Sequence, residues 1–233
     1  MMTLSGGSEF DEYAADYESA LAAGLSISGE SSQYFARARI RWLTGCLREL
    51  KASPRSALDF GCGTGSAAPI LAELMKVDSI TGLDVSARCL DAAKQKYGSQ
   101  RTQFQLLDDY RPCEAIELAY CNGVFHHVPV RERTAAIDYI YRALRPRGLF
   151  AFWENNPLNP GTRYVMRRIP FDRDAVPLRA AEARRMLRTG GFEILRTDFL
   201  FIFPKMLHWL RWIEPSLAKL PLGAQYQVLC RKA

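Results

Sequence analysis

No two of the six cysteines stand in a C-x-x-C pair, so neither a zinc ribbon nor a dithiol redox motif is written here. Cys46, Cys62, Cys89, Cys113, Cys121 and Cys230 are scattered, several of them inside predicted strands or helices. A free thiol there behaves as a small buried hydrophobe, and such usage fits a reducing, cytoplasmic compartment. No apolar run is long enough to span a bilayer. The opening MMTLSGGSEF lacks a basic region followed by an apolar one and does not read as a secretory signal. There is no repeat and no low-complexity tract. Basic residues gather only in small groups: Arg37-Arg39-Arg41, Arg163-Arg167-Arg168 and Arg184-Arg185-Arg188. Without a nucleic-acid-binding module, these disfavour a nucleic-acid partner.

What is there is a chain of 233 residues, 48% hydrophobic and 24% charged, with a net charge of +6. That length suits one α/β domain with some elaboration. The mild positive charge fits an anionic substrate or a membrane surface and compels neither. EFDEYAADYESAL has helical spacing, with Phe10, Tyr13, Tyr17 and Leu21 along one side. SQYFARARIRWLTGCLREL reads as a long amphipathic helix. From there strands alternate with helices: SALDF, SITGLDV, TQFQLLD, IELAYCNG and GLFAFWE, separated by helical stretches. Alternation of this kind predicts a mostly parallel sheet covered on both faces. The last two strands, FEILRTDFLFIF and QYQVLCR, lack an ordinary crossover between them and are expected to be antiparallel.

ALDFGCGTG joins the first strand to a helix, with glycines at 61, 63 and 65. Bare backbone at such a turn lets a ligand approach closely. The dinucleotide fingerprint is G-x-G-x-x-G, and here the third glycine falls one residue early, with Ser66 in its place. Asp59 at the strand end would repel a pyrophosphate and suits an ammonium or sulfonium. Asp84 ends the second strand nineteen residues past Gly65, close to the offset at which a carboxylate binds ribose hydroxyls. A ligand with a ribose and a positive charge but no phosphate meets these conditions, and S-adenosyl-L-methionine (SAM) is one.

With these motifs the chain resembles the class I SAM-dependent methyltransferases of small-molecule type. LDFGCGTG, GLDVS, LLDD, AYCNGVFHHVP and LRPRGLFAFWE are similar to the family's motifs in their order, and the resemblance covers roughly residues 10 to 232. It implies a doubly wound, mostly parallel seven-stranded α/β sheet with a reversed last strand. It implies SAM as cofactor, with Asp59 at the methionine amino group and Gly61, Gly63 and Gly65 along the methionine and ribose. Asp84 would hold the ribose hydroxyls and Val85 would lie against the adenine. Asp108 would accept from the adenine amino group, with Asp109 a competitor. Asn122 would touch the cofactor through its backbone. Tyr13 and Tyr17 resemble the aromatic residues that cap the cofactor in relatives, and helical packing explains their spacing equally well.

On the acceptor side, His126 is a candidate general base and Glu154 a candidate acid or base. His127 adjoins His126, and adjacent side chains on a strand point opposite ways, which argues against a shared metal. The reading is a methyl transfer to a small-molecule acceptor, O-directed. The alternatives are N- or C-methylation, or a SAM-binding protein without transfer; a dinucleotide oxidoreductase is disfavoured by Asp59 and the glycine spacing. Residues 1–52 read as a helical cap and 53–233 as the core, with inserted loops at 155–178 and 204–223. Specificity is expected from the cap and the two inserts. KMLHWLRWI, with Trp209 and Trp212, could wall an apolar acceptor, contact a membrane transiently, or make a dimer contact. Arg163, Arg167 and Arg168 could grip an anionic head group. Both monomer and homodimer stay open.

Overall fold

The computed structural model describes residues 23–172 and 175–233. Seven strands form one sheet in the order β3-β2-β1-β4-β5-β7-β6. They are β1 (Ser56–Phe60), β2 (Ser79–Asp84), β3 (Thr102–Leu106), β4 (Ile116–Asn122), β5 (Leu144–Asn155), β6 (Phe192–Leu200) and β7 (Gln225–Lys232). β1 to β5 pair in parallel, and β7 runs antiparallel to both β5 and β6. The reversed last strand is therefore present. The longer helices among the described residues are α1 (Ser32–Glu49), α2 (Ala68–Met75), α3 (Ala87–Tyr97), α4 (Arg133–Ala143), α5 (Pro160–Arg168) and α6 (Ala180–Thr189). No helix among the described residues is long and apolar enough to cross a membrane.

Strand periodicity builds the two layers. Successive side chains alternate faces, so Leu58, Phe60, Phe150 and Phe152 enter one core with α4 and α6. Ala57, Leu118, Ala151 and Leu229 enter the other with α1 and α2. Helix α1 starts where Ser31 caps it, the hydroxyl accepting from the Tyr34 amide at 3.1 Å. Its Ala36, Ile40, Leu43 and Leu47 share one stripe and are buried. Full burial of a side chain such as Leu43 contributes about 1.5–3 kcal/mol. Residues 32–49 are thus part of the layer packed on the sheet, whereas Tyr13 and Tyr17 lie outside the described residues.

The chain between β5 and α6, expected to be loop, contains helix α5. The missed signal is Asn159-Pro160: Asn159 is the N-cap, its Oδ1 accepting from the Thr162 amide at 3.0 Å, and Pro160 opens the first turn. KMLHWLRWI forms a 3-10 helix, Lys205–Ile213, that breaks at Leu207.

Candidate active site

β1 and β4 are adjacent, while their crossover connections leave to opposite sides, so a crevice opens at their carboxyl ends. The glycine loop lies in it. Its backbone is tied to β2, with the Gly61 and Cys62 amides donating to the Leu83 carbonyl at 2.8 and 3.0 Å. Gly63 has φ +52 and would project a Cβ into open space, so the bare backbone faces the crevice rather than neighbouring protein. Gly61, at φ +71, is pressed against Val124.

The two carboxylates differ. Asp84 Oδ2 accepts from the Gly63 amide at 2.7 Å and Oδ1 from the Ser86 amide at 3.0 Å. These bonds hold the carboxylate still at the loop, and each oxygen keeps acceptor capacity. Ser86, not Asp84, caps α3. Asp59 is 3% exposed and its Oδ2 is buried with no hydrogen-bond partner. Burial, with the charge of Asp84, raises its pKa to about 7, against the pull of Arg39. Asn122 Oδ1 is likewise buried and unpartnered. Asp108 and Asp109 both lie exposed in the turn after β3, and nothing in their positions chooses between them. Val85 is partly buried against the core beside them.

Beyond Asn122 a cavity of about 490 Å³ opens over the ends of β4, β5 and β7. Besides Asn122–His127 and Ala224–Gln225, its walls come from three longer stretches: Leu25 to Arg39, Asn155 to Asp172, and Phe201 to Glu214. Most of that wall is apolar, including Phe35, Val165, Ile169 and Phe203. Trp209 and Trp212 are not in it; they are 63% and 78% exposed. The apolar wall expected of them is supplied by other residues, because the 3-10 turn directs both rings to solvent. Arg163, Arg167 and Arg168 are exposed and outside the cavity too. The arginines that do reach it, Arg39 and Arg211, are engaged. Arg39 donates to Tyr120 Oη and Gln225 Oε1, and Arg211 to Glu30.

His126 and His127 stand at the polar end of the cavity. They lie in the turn after β4, not on the strand, and their ring centroids are 4.0 Å apart. The expectation that they face opposite ways fails for that reason. Both turn to Asp172 Oδ1, His126 Nε2 at 3.4 Å and His127 Nε2 at 3.2 Å. Behind them Glu154 is 1% exposed and absent from the wall. One of its oxygens accepts from the Phe125 and His126 amides, the other from His126 Nδ1 at 2.7 Å. Glu154 therefore touches His126 and does not line the cavity. Burial lowers the His126 pKa, but flanking Glu154 and Asp172 outweigh it and carry it to about 10. Burial keeps His127 below its ordinary value. Burial raises the pKa of Asp172, and the two imidazoles overcome this and bring it below the usual carboxylate range. Asp172 was not singled out from sequence: it is 45 residues past His127, one of two acids in FDRD, and only the insert's return over the sheet end brings it there.

A family model described as a methyltransferase domain matches residues 58–150, from β1 through the middle of β5. Over these residues the chain carries a methyltransferase domain, and its motifs resemble those of the class I SAM-dependent methyltransferases. SAM is the cofactor of that family, and the crevice fits it. The unpartnered Asp59 oxygen suits an ammonium, the anchored Asp84 suits ribose hydroxyls, and open space lies at Gly63. Among curated relatives, trans-aconitate 2-methyltransferase of Rhizobium leguminosarum is 29% identical over 97 residues, 42% of this chain and 37% of the relative. The enzyme of that name from Rhodopseudomonas palustris is 26% identical over 144 residues, 60% of this chain and 54% of the relative. The chain thus spans about half the length, or less, of these relatives. A Thermotoga maritima SAM-dependent methyltransferase superposes with TM-score 0.66 at 16% identity, over 97% of this chain and 99% of that one. One from Archaeoglobus fulgidus gives 0.64 at 15% identity, over 87% and 95%. At such identity they speak for the fold.

Proposed function

We propose that this chain transfers the methyl group of SAM to an oxygen of a small acceptor with an apolar body. The observation that carries the reading is the cavity of about 490 Å³, which meets the cofactor crevice at Asn122 and Gly123. Bound SAM supplies an electrophilic methyl on a sulfonium. The protein's part is alignment, which in the best-oriented cases supplies roughly 7 kcal/mol or more. Asp84 and the glycine loop hold the ribose end, and Asp59 holds the ammonium. Phe35, Val165, Ile169 and Phe203 exclude water around the acceptor. The acceptor's polar atom is turned to the end that carries His126, His127 and Asp172, which favours oxygen over carbon.

The relatives' name specifies trans-aconitate, a polycarboxylate. The mostly apolar wall, with Arg39 and Arg211 already engaged, supports a less charged acceptor here. A SAM-binding protein without transfer would have its acceptor side closed, and the open cavity favours transfer over that alternative. The test has two steps. Calorimetry with SAM, its demethylated product and NAD should show binding of the first two alone. A panel of phenols, enols, medium-chain acids and apolar amines is then incubated with SAM, and demethylated cofactor and methylated product are read by mass spectrometry. Methylation confined to amines or carbons would overturn the oxygen assignment. Tight NAD binding without SAM binding would overturn the whole reading.

A further inference from the structure

The turn that brings both histidines to one side also sets three donor atoms around one point. One ligand atom from each of His126, His127 and Asp172 lies within 4.8 Å of the others, and both Nε2 atoms face Asp172 Oδ1. We propose that these three atoms bind a divalent first-row cation of zinc type, with its remaining positions open to the cavity and to an oxygen of the acceptor.

The spacing is the first argument. Bonds of about 2.1 Å at tetrahedral angles put ligand atoms about 3.4 Å apart. The two histidine nitrogens stand 3.4 and 3.2 Å from the Asp172 oxygen. The donor set is the second: two imidazoles and one carboxylate, with open positions, is a recurrent catalytic arrangement for such ions. The third is Glu154. It accepts from His126 Nδ1 at 2.7 Å, so the proton an ion would displace is the one on Nε2, whose lone pair then faces the ion. A carboxylate behind a ligating imidazole is the usual outer partner of a metal site. Glu154 is itself fixed by the backbone amides of Phe125, His126 and Asn155. The fourth is access, since all three ligands line the cavity while His126 and Asp172 are buried.

The site's use in catalysis rests on the methyl-transfer reading; its existence does not. Coordination would favour the deprotonated acceptor oxygen, the proton leaving to solvent. A lone pair of that oxygen then forms the bond to carbon, and the carbon–sulfur pair stays on sulfur as a thioether. The cation is unchanged.

The experiment uses the full chain, stripped with a chelator and titrated with Co²⁺ by visible absorption and with Zn²⁺ by calorimetry. One Co²⁺ per chain is expected, displaced by Zn²⁺. Asp172→Asn and His127→Gln should each abolish stoichiometric uptake while SAM still binds, which shows the variants to be folded. Glu154→Gln should weaken uptake by about 10- to 100-fold. A native chain that binds SAM yet takes up neither ion overturns the proposal, as does uptake unchanged in Asp172→Asn. The triad is then a hydrogen-bonded imidazolium between two carboxylates. Methyl transfer that survives chelation overturns the catalytic use of the ion and leaves the transfer standing. Failure of SAM to bind overturns the transfer reading, while the Co²⁺ titration still reads the site.

Discussion

Asp59 and Asp84 are both strand-end carboxylates, yet their surroundings give them different chemistry. Asp84 is anchored by two backbone amides. Asp84→Ala should remove its bonds to ribose hydroxyls, each about 1.5–3 kcal/mol for a charged acceptor. SAM affinity, read by calorimetry, should fall at least about tenfold in a folded variant; an unchanged Kd would refute the ribose role. Asp59 has its pKa raised from 3.8 to about 7 by burial and by Asp84. An ammonium beside it would restore the carboxylate, so SAM binding should expel a proton below about pH 7. Affinity should rise with pH up to about 7 and then level off. The same shift opposes stability. Between about pH 4 and pH 7 the folded chain keeps a proton that the unfolded chain has released, so this group's contribution falls as pH rises. It is flat above about 7. Asp59→Asn should flatten the affinity profile, weaken SAM binding, and raise Tm relative to the native chain at pH 8 more than at pH 5. Equal Tm differences at both pH values would refute the assignment. The motif singled out both carboxylates; the protonation of Asp59 follows from burial, which the motif does not encode.

At the scale of elements, the two inserts are stitched to each other. Asn159 caps α5 and its Nδ2 donates to the Leu222 carbonyl at 2.7 Å. Thr162 Oγ1 donates to the Ala224 carbonyl at 2.6 Å, and Asn156 Nδ2 to the Pro221 and Gly223 carbonyls. Asn159→Ala should cost about 1 kcal/mol through the lost cap, and more through the lost tie. Thermal melting gives the loss. Because α5 walls the cavity, the variant should raise the acceptor KM more than it lowers kcat, with SAM affinity kept. All seven strands were legible in the alternation of apolar runs and turns. Helix α5 was not, because a Pro- and Asn-rich opening reads as loop until the cap bond is seen. The pairing of the inserts was not legible at all, since it joins backbone carbonyls some sixty residues away to side chains that carry no pattern.

Across the whole molecule, Asp198 ties three parts together. It is fully buried and accepts from Trp42 of α1, from Arg196 of its own strand, and from Lys219 in the second insert. Asp198→Ala should destabilise by about 2–3 kcal/mol, less than a fully buried network because Lys219 is largely exposed. Denaturant unfolding measures it, and a loss below about 0.5 kcal/mol would refute the tie. By contrast, Trp209 and Trp212 stand outside the cavity and outside the core. Replacing both by Ser should leave stability within about 0.5 kcal/mol and SAM affinity unchanged. A large drop in Tm, or a fall in mass by ultracentrifugation, would instead assign them to a contact between copies.

Local order in the chain determined the sheet, its reversed strand and the cofactor. Strand periodicity, the glycine spacing and the two strand-end carboxylates act within a few residues of one another, so they can be read in line. The acceptor side was decided by the tertiary structure alone. His126 and His127 share a face only because the strand ends before them. Asp172 joins them only because the insert returns over the sheet end. The cavity wall is drawn from several segments that sequence order keeps apart. Contacts between distant segments depend on how the layers pack, and no local spacing records that.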